Sequence, residues 1–378
     1  MLPLKGVKIL DLSRVLAGPY ATMMLADLGA DVLKVEHPKR GDDTRHWGPP
    51  FAGCESAYFL SVNRNKRSIA VDLKSPEGFE KVKALTESAD VLIENMRRGA
   101  LDELGLGYES LKATNPGLVY CSITGFGPGE DRDRPGYDFL VQARGGIMGI
   151  TGFPDGSPTK VGVAVADIIC GLQAALAILA ALYSRKDTKE GARVEVPLFE
   201  SQLSWLANRA QEYLVSGEDK GRLGNAHPSI VPYQTFDASD REIAVAVGND
   251  AQFENLCRAL GREELAKDER FAENPDRVAN RDELVAALQE EFTRKTADEW
   301  VKEIRGAGVP CGPVNGLADV FSDEHVLSSG ILQEVEHPVA GTLKMLTSPI
   351  LVDGERLGIR RPPPTLGQHT DDAAWETG

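Results

Sequence analysis

The sequence predicts an α/β protein: a doubly wound, mostly parallel sheet in a large domain, followed by a smaller α+β domain. Three observations carry this. Short apolar runs alternate with helical stretches from residue 7 to residue 123, in strand–helix–strand order. The first of these units has a turn and a helix start directly after a buried strand. The composition then shifts near residue 219 to charged helices around one new strand. The 378 residues are 42% apolar and 26% charged, enough to bury more than one core.

The elements follow in order. Residues 7–12 (VKILDL) read as a buried strand and 13–18 as a loop. Pro19 opens a helix that runs to Gly29, because proline suits a first turn and glycine suits a helix exit. Residues 31–36 (DVLKVE) form the second strand. Further strands are expected at 68–73, 90–94 and 118–123, with a helix over 75–88. The stretch 124–166 is rich in glycine and proline and ends in a strand-like run, 161–166, before an apolar helix over 168–184. Residues 190–198 return as a strand and 199–217 as one long helix. The predicted organisation is a large domain over 1–198, a linker helix over 199–218, a small domain over 219–320, and a tail, 321–378, that packs back on the first domain.

The net charge is −15, which argues against binding nucleic acid or an anionic membrane surface. The first hundred residues differ, with 15 Lys+Arg against 13 Asp+Glu. A small polyanion fits there electrostatically. Five dispersed cysteines form no CxxC pair, which predicts reduced thiols in a cytoplasmic setting and no zinc framework. The first residues lack the build of a signal or transit peptide, and the apolar run 168–183 is shorter than the roughly 20 residues of a membrane span. No metal or serine-hydrolase motif is present.

In a doubly wound sheet, ligands bind beyond the carboxyl ends of the strands. The loop Arg14-Val15-Leu16-Ala17-Gly18-Pro19 has one glycine where a dinucleotide fold has three, so it reads as a plain turn or as an anion-facing helix start. Gly125-Phe126-Gly127-Pro128-Gly129 is either a lid or an ordinary turn. Asp167 is an isolated acid between VGVAVA and IICGLQAALAILAALY. A carboxylate there either caps the helix or does chemistry, because an unpaired buried charge is costly. Tyr137-Asp138, after a Pro-Gly turn, is either acid/base equipment or a cap.

At these residues the chain resembles the class III CoA-transferase (CaiB/BaiF) family. The matching stretches include GVKILDLSRVLAGPYATMMLADLGADVLKVE, GDDTRHWGPPF, VLIENMRRGALDELGLGY, SITGFGPG, RPGYD, VGVAVADIICG and GVPCGPVN. Within the family, SVNRNKRSIAV, GNAHPSIVPYQTF and RPPPTLGQHT are most similar to the branch that exchanges CoA between succinyl-CoA and glutarate.

The resemblance implies an interlocked homodimer and a CoA-binding large domain. It makes Asp167 the nucleophile, flanked by Asp138 and Tyr137. It implies CoA contacts from Val15, Leu16 and Ala17, from His37, from Val71, Asp72, Leu73 and Lys74, and from Asn95, Met96 and Arg97, with Arg98 beside them. Substrates are then an acyl-CoA thioester and a small carboxylic acid, with no prosthetic group. Arg14, His46, His227 and Arg361 are candidates for a distal carboxylate.

Departures narrow this reading. Leu16 stands where oxalate-specific members have Gln. His37 and Glu103 stand at positions that are basic there. The alternative is a 2-methylacyl-CoA racemase on the same fold. That branch has a histidine base where this chain has Tyr137, which favours transfer.

Overall fold

The computed structural model describes residues 1–376. The chain divides into two units. The larger comprises residues 1–147, 160–217 and 324–378; the smaller comprises 148–159 and 218–323.

The larger unit is built on a six-stranded sheet: β1 (Lys8–Asp11), β2 (Asp31–Glu36), β3 (Arg67–Ala70), β4 (Val91–Glu94), β5 (Val119–Thr124) and β6 (Arg193–Pro197). The strands lie in the order β3-β2-β1-β4-β5-β6, and every pairing is parallel. Parallel strands buried on both faces need apolar residues at successive positions. Ile9 packs into one core with Val32, Ile93 and Cys121. Its neighbour Leu10 packs into the other with Leu33, Leu92 and Tyr120.

The first core is covered by α1 (Ala17–Asp27) and a later long helix. The second is covered by α2 (Pro76–Glu87), which Ser75 caps by accepting the Gly78 N–H. The chain order reverses between β1 and β4, so their following loops diverge. That divergence opens the crevice where doubly wound folds bind ligands.

Four further helices bear on the site: α3 (Asp138–Arg144), α4 (Val165–Thr188), α5 (Leu198–Ser204) and α6 (Ala207–Ser216). Several expectations are corrected here. Helix α1 begins at Ala17, two residues before Pro19, whose missing N–H still falls within the first turn. Residues 161–166 are not a strand, and α4 begins at Val165. The single helix expected over 199–217 is broken at Trp205 and Leu206 into α5 and α6, with no proline or glycine at the break.

Helix α4, at 24 residues, is long and apolar enough to cross a membrane. Its buried face, including Ala166, Cys170, Ala174 and Ile178, lies in the first core, so it is a core helix. Gly171 lets it approach α1, since a Cβ there would lie 2.6 Å from the Ala17 carbonyl oxygen.

The C-terminal segment covers the sheet edge at β3. His369 N–H donates to Ser68 O at 2.8 Å, and Ala70 N–H donates to Thr370 Oγ1 at 2.9 Å. Paired or covered edges resist intermolecular strand addition.

The smaller unit has a three-stranded antiparallel sheet, β7 (Tyr233–Asp237), β8 (Glu242–Ala246) and β9 (Cys311–Pro313), with β8 in the centre. Helices α7 (Asp250–Leu260), α8 (Arg281–Phe292) and α9 (Ala297–Gly306) supply its core through Phe253, Leu256, Leu288, Phe292 and Trp300. The buried Arg277 donates to the carbonyls of Val231, Phe271 and Ala272 at 2.8–3.0 Å, which ties the unit's loops together.

Candidate active site

The crevice between the loops after β1 and β4 deepens into a cavity of about 470 Å³. Its lining brings together Val15, Leu16 and Ala17 after β1, Asn95, Met96 and Arg97 after β4, and Tyr137, Asp138 and Asp167. Nine of the sequence-predicted site residues therefore share one wall system. They come from three loops and one helix start, as a site at a switch point requires.

Asp167 is the third residue of α4. It is not the helix cap, because Ala164 holds that position and offers no side-chain acceptor. The cap comes from a distance: Asp138 Oδ1 accepts the Ala166 N–H at 2.8 Å. The other oxygen of Asp138 accepts from Gln142 Nε2 at 2.7 Å, and Gln142 Oε1 accepts the Val161 N–H at 2.9 Å. Asp138 thereby anchors both α3 and the approach to α4.

With capping done by Asp138, the carboxyl of Asp167 is left for the cavity. Burial, and then the Asp138 carboxylate, push its pKa up to about 7, with no hydrogen bond to counter them. A carboxylate so destabilised is a stronger base and a better nucleophile than an ordinary aspartate.

Close packing of backbone sets this geometry. A Cβ on Gly125 would lie 2.3 Å from Gly136 N, so the glycine-dense segment after β5 packs its backbone on the turn that presents Tyr137 and Asp138. The segment is a close-packed turn. A proline–glycine turn facing a glycine is the signal that identifies it.

Tyr58 was not anticipated. It lies half-buried in the short helix Ala57–Ser61. Burial and the carboxylates of Asp167, Asp138 and Asp42 push its phenol up to about 12, so it stays a proton donor. Trp47 meets it edge-on, with centroids 5.2 Å apart. The exposed tryptophan in the loop after β2 was the available hint.

The remaining predicted residues lie elsewhere. His37 follows β2, and Val71, Asp72, Leu73 and Lys74 follow β3, on the same carboxyl edge of the sheet but outside the cavity lining. Val71 belongs to the second core, and Asp72 Oδ1 accepts the Lys74 N–H in the turn before α2. Arg97 is paired with Glu103, and Arg98 with Glu195. Of the four residues considered for a distal carboxylate, Arg14 lines the cavity and pairs with Asp43 at 3.1 Å. Arg361 lines a separate cavity of about 350 Å³ with Lys8 and Asp31, at the start of the strands. His46 Nε2 meets the Arg40 carbonyl, and His227 belongs to the smaller unit. Among the described residues no group of three His, Cys, Asp or Glu side chains could hold a metal ion.

Residues 4–370 match the profile of CoA-transferase family III. The chain is 46% identical to a human succinyl-CoA:glutarate CoA-transferase, over 97% of this chain and 84% of that one. It is 45% identical to a succinate–glutarate CoA-transferase of Agrobacterium fabrum, over 97% and 94%. The crystal structure of a CAIB/BAIF family protein from Brucella suis superposes with a TM-score of 0.87 at 47% identity, covering 98% of each chain.

Proposed function

The chain belongs to CoA-transferase family III, and we propose that it moves coenzyme A from succinyl-CoA to a small dicarboxylic acid such as glutarate, with Asp167 as the covalent carrier. The observation that carries this is the Asp167 carboxyl, pushed up to about 7 by burial and the Asp138 carboxylate, in a cavity formed by the loops after β1 and β4.

The reaction balances around that one carboxyl. An Asp167 oxygen attacks the succinyl thioester carbonyl, the C–S bond breaks, and CoA thiolate leaves a mixed anhydride behind. The thiolate attacks the aspartyl carbonyl and releases succinate, giving an aspartyl-CoA thioester. The acceptor carboxylate attacks that thioester, the C–S bond breaks, and the departing CoA thiolate leaves the second anhydride. The thiolate then attacks the acceptor's acyl carbonyl, forming the new acyl-CoA and freeing Asp167. Each adduct is neutral where Asp167 was charged, so a site that disfavours the carboxylate favours its acylation. Tyr58 packs against the Leu16, Met23 and Val62 cluster, outside the cavity lining, and its phenol stays protonated there.

Arg97 and Arg98, now paired with Glu103 and Glu195, are assigned to the CoA phosphates, which would take those partners' place. His37 and Val71–Lys74 are assigned to the part of CoA that projects beyond the cavity. Arg14 is assigned to the acceptor's distal carboxylate. The working enzyme is read as an interlocked homodimer. Leu172, Leu176 and Tyr183 of α4 and Leu214 and Val215 of α6 are exposed apolar residues that a second copy would cover. A monomeric mass by light scattering would refute that. Free cysteines fit a cytoplasmic setting.

The test is exchange between succinyl-CoA and a panel of dicarboxylic acids, read by mass spectrometry. Asp167→Ala should abolish exchange, and hydroxylamine should trap an aspartyl adduct at Asp167 in the wild type. Ordinary turnover by the variant would sink the mechanism.

A further inference from the structure

The loop between β1 and α1 holds a conformation that its own residues disfavour. Val15 sits at φ 71°, in the left-handed region that β-branched side chains rarely enter. Such a conformation persists only where its surroundings over-determine it.

Here the surroundings are three side chains from other segments, acting on three consecutive residues. The Ser13 carbonyl accepts from Lys34 Nζ at 2.9 Å. The Arg14 N–H donates to Asn95 Oδ1 at 2.8 Å, and the Arg14 carbonyl accepts from Asn95 Nδ2 at 2.7 Å. The Val15 N–H donates to both oxygens of Asp42, at 3.2 and 3.3 Å.

Asp42 is itself fixed. Its carboxylate pairs with Lys34 at 2.9 Å, both side chains being within 1% of full burial, and accepts the Thr44 N–H and hydroxyl. The Asn95 clasp crosses from the end of β4 to the loop after β1. It therefore spans the divergence that creates the crevice. On the far side, the Ala17 carbonyl is lodged against Gly171 of α4. Ser13 is also tied to the strand before it, where Asp11 Oδ1 accepts its N–H at 2.9 Å.

We propose that Asp42, Lys34 and Asn95 are positioning residues for thioester binding. They hold Val15 left-handed, so that Leu16 and Ala17 present the start of α1 to the cavity containing Asp167. The inference rests on the reading that this loop binds the CoA thioester. Asn95 acts with the oxygen and one N–H of its side-chain amide already engaged on Arg14, and Asp42 acts from beneath the loop, outside the cavity lining.

The experiment measures CoA binding by calorimetry and steady-state exchange for Asp42→Asn, Val15→Gly and the two together. Asp42→Asn should weaken CoA and raise KM for succinyl-CoA by about tenfold, the loss of one charge-assisted contact, with kcat within about twofold. The double variant should recover much of that loss, because glycine enters the left-handed region without penalty. Asp42→Asn binding CoA as wild type does, or a double variant no tighter than Asp42→Asn, overturns the proposal.

Asn95→Ala leaves the buried ion pair intact and serves if Asp42→Asn does not fold. In CoA-free protein it should speed amide exchange at residues 14–16 by about tenfold or more, since both clasping bonds are gone. Unchanged exchange would make Asn95 a direct ligand at most and overturn its positioning role. If wild-type protein binds no CoA, the underlying reading fails first. That outcome is distinguishable, because the CoA-free exchange of Asn95→Ala still reports on the clasp.

Discussion

Replacing Asp138 with asparagine should move the pH at which the enzyme switches on. The pKa of Asp167 is raised from 3.8 to about 7, and burial contributes more to this than the Asp138 charge. Asp138→Asn removes the smaller contribution and keeps the larger. The acid limb of kcat/KM for succinyl-CoA should therefore fall by about one pH unit, and stay well above an ordinary aspartate, because one unit corresponds to about 1.4 kcal/mol of differential interaction.

At pH 6, normalised activity should rise about fivefold, the change in ionised fraction when a group near 7 comes to titrate near 6. The variant also meets a structural conflict. Its Oδ1 can still accept from Ala166 N–H, but its amide nitrogen would face Gln142 Nε2, donor against donor. Gln142 must then turn and give up Val161 N–H, costing about 1 kcal/mol or more for a lost buried bond. The assay is a kcat/KM profile from pH 5 to 9 at saturating acceptor, with a thermal melt to separate the two effects. A limb that stays fixed or moves upward would refute the argument, as would a wild-type limb near pH 4.

Two more outcomes follow from the same geometry. Asp167 binds its proton more tightly folded than unfolded, so its stability contribution is full below pH 3.8 and is lost as pH rises through about 7. Asp167→Asn should accordingly raise stability at pH 8 by roughly 2–4 kcal/mol and change it little at pH 4; equal gains at both values would contradict the burial of that charge. Gly171→Ala would put a methyl 2.6 Å from the Ala17 carbonyl and 3.2 Å from the Tyr20 ring. It should cost about 1–3 kcal/mol in a denaturant titration, because the Ala17 carbonyl is helix backbone with little room to yield; a neutral result would mean that α1 and α4 can move apart there without cost.

The apolar skeleton was open to a reading of the sequence. Strands buried on both faces show as apolar residues at successive positions, and Ile9-Leu10, Val32-Leu33, Val91-Leu92-Ile93 and Leu118-Val119-Tyr120 stand out that way, although buried charges such as Lys34 interrupt the runs. Asp167 stood out for the inverse reason, as a lone acid in an apolar stretch. Helix α4 starts three residues before the position its sequence suggests, because its cap is Asp138, which lies in a different helix. Capping by a distant side chain leaves no local signature. The break between α5 and α6 carries no glycine or proline either. Lys34 and Lys66 were invisible as core residues, since charged side chains read as surface until their partners, Asp42 and Asp11, are known to sit beside them. Tyr58 was missed because its proximity to Asp167 depends on how the segment after β2 folds back over the sheet.

The segment laid over β3 has a consequence for how the protein is made. The larger unit includes residues 324–378, while the smaller takes most of its chain from 218–323. On the ribosome the smaller unit is therefore complete before the larger one can be. The edge at Ser68 and Ala70 stays unpaired until His369 and Thr370 emerge. The nascent chain therefore carries an open strand edge beside a half-built sheet until the segment that closes it emerges, 300 residues after the strand it covers.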